Sequence, residues 1–227
     1  MRKLSLIVVA LLCGFATTYA QEEFFTPPDY RQIERNVQDA TSSLYFPRLM
    51  ERYLAGDSTL TLEEARHLYF GFTFQPDYAP TVISPYNRRL IDVLSRQRFR
   101  SRDFINILRY SNALLEADPF NLRALSAKML VYAEHDNAEA YMRTVWQKSV
   151  VLDAIVSTGD GMSEETPFFV IKAAHQYDIL PILGFQFGGE DRLLESGQTN
   201  FLSVAENHFG VTRVYFDITP VANHRRR

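Results

Sequence analysis

The stretch at residues 59–80, TLTLEEARHLYFGFTFQPDYAP, constrains the fold of this chain most. The Thr61 hydroxyl can accept a free N–H of a first helical turn, while Glu64, three residues on, reaches back to the Thr61 N–H. This capping box predicts a helix from Leu62. Leu62, Ala65, Leu68, Tyr69 and Phe72 recur at helical spacing on one face, with Glu63 and Arg66 opposite. Gly71 weakens the helix and Pro76 cannot continue it. Phe72, Phe74 and Tyr78 then carry too much apolar area to leave in water, so the turn is expected to be an internal corner against neighbouring helices.

The flanks also read as helices. Asp29 sits at a cap before Tyr30, Ile33 and Val37; Ser42 or Ser43 opens a second helix through Phe46, Leu49, Met50 and Tyr53, with Pro47 tolerated in its first turn. Ser84-Pro85 starts a fourth helix and Ser101 a fifth, which Asp118-Pro119 stops. A sixth is expected over about 121–133 and a seventh over about 137–156, closed by Thr158-Gly159-Asp160-Gly161. Short links favour antiparallel pairs. Beyond Gly161 the pattern changes to strands at 168–171, 200–204 and 211–218, with a turn at Asn207-His208-Phe209-Gly210. Residues 179–183, around Pro181, fit helix or strand equally, and 223–227 read as a frayed tail. The expected fold is mainly α, an α+β chain in which tetratricopeptide-like antiparallel helix pairs precede a small antiparallel β-sheet from about residue 166, all in one domain over 29–222.

Arg2 and Lys3 precede an apolar run at 4–16, and Thr18-Tyr19-Ala20 offers small residues for signal peptidase, so residues 1–20 read as an export signal cleaved before Gln21. The run is too short to span a membrane. Leu12 stands before Cys13 where lipoprotein processing wants a small side chain, which favours a periplasmic or secreted product over a lipid anchor. Residues 21–28, with Thr26-Pro27-Pro28, read as a tether. Cys13 is the only cysteine, so the mature chain has no disulfide, thiol nucleophile or four-cysteine zinc site. Losing Arg2 and Lys3 takes Lys+Arg from 24 to 22 against 27 Asp+Glu, a net charge of -5. That balance, with export, argues against nucleic acid and leaves a protein or peptide as the expected partner.

Sites of chemistry are few. Asp57 to Glu64 resembles the second half of a calcium loop, but Ala55 and Tyr53 stand where carboxylates are required and Ser58 where glycine is, so no metal is expected. Neither the G-x-S-x-G turn nor a phosphate-binding glycine loop occurs, and no cofactor is implied. The histidines are single, without zinc-protease spacing. The residues expected to bind a partner lie at the aromatic corner: His67, Tyr69, Phe74, Gln75, Asp77 and Tyr78. A second candidate is an anion patch of Arg88, Arg96, Arg98 and Arg100, a run that otherwise reads as a solvated helix end.

Residues 113–145 can be laid against one tetratricopeptide unit through Ala124, Leu125 and Tyr132, but Lys128 and Met129 depart from its pattern and no second clear copy follows, so helix pairing is expected rather than an array. Leu49-Met50-Glu51-Arg52-Tyr53, Thr59-Leu60-Thr61 through Gly71-Phe72 and Gln75-Pro76, Thr158-Gly159-Asp160-Gly161 and Val214-Tyr215-Phe216-Asp217 resemble the exported bacterial family known as domain of unknown function 4919. The resemblance covers nearly all of the mature chain and implies an export signal and a single family domain; it brings no catalytic residue or ligand. Two readings stand: a non-catalytic protein- or peptide-binding module of the cell envelope, or a periplasmic hydrolase or glycan-acting enzyme using His67 with Arg66 and Asp77, or His175 with Asp178.

Overall fold

A computed structural model describes residues 25–225; the expected signal at 1–20, the tether residues 21–24 and the tail residues 226–227 lie outside the described residues. The described elements are α1 (Tyr30–Gln38), α2 (Phe46–Ala55), α3 (Leu62–Gly71), α4 (Pro85–Leu94), α5 (Ser101–Ala117), α6 (Leu122–Glu134), α7 (Ala138–Val156), β1 (Phe168–Phe169), α8 (Ala173–Ile179), β2 (Phe187–Leu193), β3 (Thr199–Val204), β4 (Arg213–Asp217) and α9 (Thr219–Arg225).

The capping box is present. Thr61 Oγ1 accepts the Glu64 N–H at 3.2 Å, and a Glu64 carboxylate oxygen accepts the Thr61 N–H at 2.8 Å. The other Glu64 oxygen takes an Arg52 N–H, and the same guanidinium holds Asp57 at 2.7 Å. An arginine therefore occupies the place where the calcium-like carboxylates converge, and it ties the end of α2 to the start of α3. From His67 to Gly71 every residue of α3 is buried, with Leu68, Tyr69 and Phe70 at 0% exposure. The expected one-sided helix is thus enclosed by α1, α2 and α7, and only its first turn reaches solvent, where Leu62 is 51% exposed. The corner is internal as expected: a 3-10 turn, Phe72–Phe74, sets the Phe72 ring against Phe46, Tyr78 and Phe120, and the Tyr78 hydroxyl donates to the Ile171 carbonyl at 2.7 Å.

A second apolar cluster joins α4, α5 and α6 through Leu90, Val93, Ile107, Leu114, Ala124 and Val131. Consecutive helices from α4 to α7 pack side by side, but α3 lies across α7 and α1 instead of following in series. One start differs from expectation: Tyr45 precedes α2, while Ser42 Oγ takes the Leu44 N–H in the turn before it. α5 begins at Ser101 as expected, with the Asp103 carboxylate accepting the Arg100 N–H.

The C-terminal sheet has the order β1-β4-β3-β2 and is mixed rather than antiparallel throughout. β3 runs antiparallel to β2 and β4, whereas β1 lies parallel to β4 with Phe168 opposite Phe216. A helix, not a hairpin, follows β1, so the chain can return alongside it in the same direction. β2 was not foreseen because all seven of its residues are exposed on the sheet edge, two of them Gly188 and Gly189. The ambiguous 179–183 stretch ends α8 and turns, and residues 223–225, read as tail, complete α9. At the other end residues 25–28 run along the body: the Thr26 N–H donates to the Ser157 carbonyl at 3.1 Å, and Pro28 is buried.

Gly71 marks the closest approach of α1 to α3, since a Cβ there would lie 2.6 Å from Val37 Cγ1. Alanine would gain at most about 1 kcal/mol of helix propensity. Overpacking against a stiff, buried valine costs about 1–3 kcal/mol. Gly71→Ala is expected to lower the unfolding free energy by about 1 kcal/mol in urea titration, with Gly71→Ala and Val37→Ala together costing less than the sum of the two alone.

Candidate functional site

A concavity of about 800 Å³ lies between the first turn of α3 and one face of α7, and is bounded by Phe25, Thr26, Gly159 and Asp160. That volume is typical of a ligand-sized cleft. Trp146, Val150, Asp153 and Val156 fall three and four apart on α7, which places them on one face. Leu60, Leu62 and Ala65 supply the opposing wall. Arg66 is already committed: it donates to Ser157 Oγ at 2.5 Å and to the Thr26 carbonyl at 2.7 Å, and burial lowers its pKa. Asp57 is held by Arg52, and Asp160 accepts from Met162 N–H at 2.9 Å and from Thr166 Oγ1 at 2.6 Å. Among the described residues Asp153 has no such tie; it is exposed at the groove, and burial of its inner side raises its pKa.

The six corner residues do not converge. His67 is buried, its Nδ1–H donating to the Glu63 carbonyl at 2.9 Å and its Nε2 accepting from the Asn36 amide at 3.0 Å, so both ring nitrogens are used. Tyr69 is wholly enclosed. Gln75 donates to the Gly71 carbonyl at 3.2 Å, and with Asp77 it lines a different hollow of about 630 Å³ between α2, the corner and the end of α5. Phe74 and Tyr78 line a third, small cavity with Tyr30 and His224. Arg66 and His67 border one surface and Asp77 another, which leaves that proposed acid–base set unassembled. In the arginine run, Arg88 pairs with Asp92 at 2.9 Å and Arg96 with the buried Asp103, while Arg98 and Arg100 are exposed.

Sequence reasoning missed a buried polar cluster where the helical body meets the C-terminal half. The Tyr69 hydroxyl accepts the Ile171 N–H at 3.3 Å and donates to His175 Nδ1 at 2.7 Å, joining residues more than a hundred positions apart. Lys172 pairs with Asp118 at 3.2 Å, and Arg123 with Asp178 at 2.6 Å. Asp178 and His175 do share α8, as a helical reading of that segment requires, but Asp178 is spoken for by the arginine. His175 Nε2 and Asp118 Oδ1 are buried with no protein partner. None of these groups lines the concavities described above; the cluster joins the helical body to the C-terminal half.

A family model described as Domain of unknown function (DUF4919) matches residues 31–227. No curated protein and no solved structure matches the chain.

Burial holds the His175 pKa below its ordinary value; the carboxylates of Asp118 and Asp178 oppose that shift and Lys172 adds to it. The unfolded chain therefore takes up this proton first as pH falls. The stabilisation is complete above about pH 6.5, the free histidine value, and is lost as pH drops through it toward the folded value. Between about pH 7.5 and about pH 5.5 the unfolding free energy of the wild type should fall more than that of His175→Phe. Parallel curves would remove His175 from the account.

Proposed function

The chain belongs to the DUF4919 family, a domain of unknown function, and we propose that it is an exported, non-catalytic binding module of the cell envelope that takes a protein segment into the groove between α3 and α7. The observation that carries this reading is the groove itself, an apolar cleft of about 800 Å³ with one untied acid on its wall. Its charges select the occupant. Arg66, Asp57 and Asp160 are satisfied within the protein, so Asp153 is the groove carboxylate left to meet a cation. Trp146 stands two helical turns away, roughly 10 Å along α7, with its indole 38% exposed for an apolar or cationic side chain. The occupant is a peptide segment carrying an apolar side chain beside a lysine or arginine.

A hydrolase would need an acid and a base facing a common point in a cleft. Both His67 nitrogens are occupied and Asp77 faces another hollow. His175 is sealed from solvent and Asp178 is nearly so. These positions support the binding reading over the catalytic one.

Combining Trp146→Ala with Asp153→Lys should abolish the interaction while leaving the fold intact, because both side chains lie at the groove surface. Crosslinked pull-down from the native envelope should enrich one partner with the wild type and with a control, Ile105→Ser, and at least about tenfold less with the groove variant. Equal capture by all three, or turnover of envelope glycan by the purified protein, would sink the proposal.

A further inference from the structure

The small cavity beside the corner, about 160 Å³, shares no lining residue with the groove. Four rings face it from separate parts of the chain: Tyr30 at the start of α1, Phe74 and Tyr78 from the corner, and His224 from α9. Tyr30 and Phe74 meet at 65° with centroids 6.4 Å apart, and Tyr78 and His224 meet at 82° with centroids 5.7 Å apart. Adjacent walls of a box stand in this way. The Tyr30 hydroxyl is buried with no partner among the described residues. Burial raises the Tyr30 phenol most, the charge of Asp217 adds to the rise and that of Arg66 opposes it; Asp217 is itself raised by burial, and the Thr219 N–H donates to it at 2.8 Å.

We propose that this aromatic box binds a small alkylammonium cation, of the trimethylammonium type. Ring faces attract a cation, and the Asp217 carboxylate supplies an opposite charge. An anion would meet the negative faces of the rings. The size agrees, since about 160 Å³ is roughly five water volumes of about 30 Å³ each, room for a nitrogen with four carbons around it. An ammonium bearing one N–H would also give the Tyr30 oxygen its missing partner. The site is independent of the protein-binding groove, and either can fail without the other.

The test uses choline and its uncharged isostere 3,3-dimethylbutan-1-ol, each titrated into the purified protein and followed by NMR of the methyl protons. Choline should bind saturably with its methyl signals shifted upfield by the rings, and the isostere at least about tenfold more weakly. Phe74→Ala, at a half-buried wall, should weaken choline by a similar factor; Asp217→Asn should weaken choline but not the isostere. Equal affinity for the two probes, an unsaturable response, or unchanged choline binding by Phe74→Ala would overturn the proposal. Phosphatidylcholine vesicles separate the two sources of this group: sedimentation with vesicles that free choline reverses identifies a lipid headgroup, and choline binding without sedimentation identifies a soluble cation.

Discussion

The burial of α3 around its whole circumference holds the rest of the molecule in place. A helix with one wet face can tilt or slide at small cost, but His67 to Gly71 have no such face and Gly71 admits Val37 almost to backbone contact. Close packing on all sides fixes position as well as stability. The free end of α3 is its N-terminal turn, fastened by the capping box and by Arg52. That fixed turn is the lip of the large groove, so the part of the helix that meets solvent is held by the part that does not.

Enclosing a helix brings polar atoms inside, and each needs a partner. His67 and Tyr69 find theirs on other elements, and Tyr69 in doing so bridges the helical body to α8 and the sheet. The pairs Asp118–Lys172 and Asp178–Arg123 span the same junction. Such buried pairs add little net stability compared with apolar contacts, but breaking one leaves a lone buried charge at a cost of about 3–5 kcal/mol. They therefore specify how the two halves meet more than how strongly. The same economy of partners explains the groove: its other ionisable groups are tied inward, and Asp153 is left facing out.

The helices were legible because their ends are written locally. Thr61 with Glu64, Ser84 with Pro85, Asn121 and Asn137 all cap the elements they were expected to begin. What failed was information held elsewhere in the chain. β2 is a charged, glycine-bearing edge whose pairing comes from β3, and its own residues show no alternation because both faces are exposed. The parallel register of β1 depends on where residue 216 returns. α9 has a local signal in Thr219-Pro220, proline in a first turn, that went unread. Phe72 and Tyr78 were correctly placed inside, but an aromatic turn that packs into three separate surroundings cannot be told from one that gathers around a site by spacing alone. Trp146 and Asp153 were passed over because α7 pairs with α6 on one side, and only α3, far off in sequence, makes a hollow of the other.

The pairing of β1 with β4 also sets an order of assembly. Phe168 must wait for Phe216, forty-eight residues further on, whereas residues 30–156 contain α1 to α7, which can pack against one another without it. A chain lacking β4 would therefore have a nearly complete helical body with β1 unpaired and the apolar inner face of β3 bare.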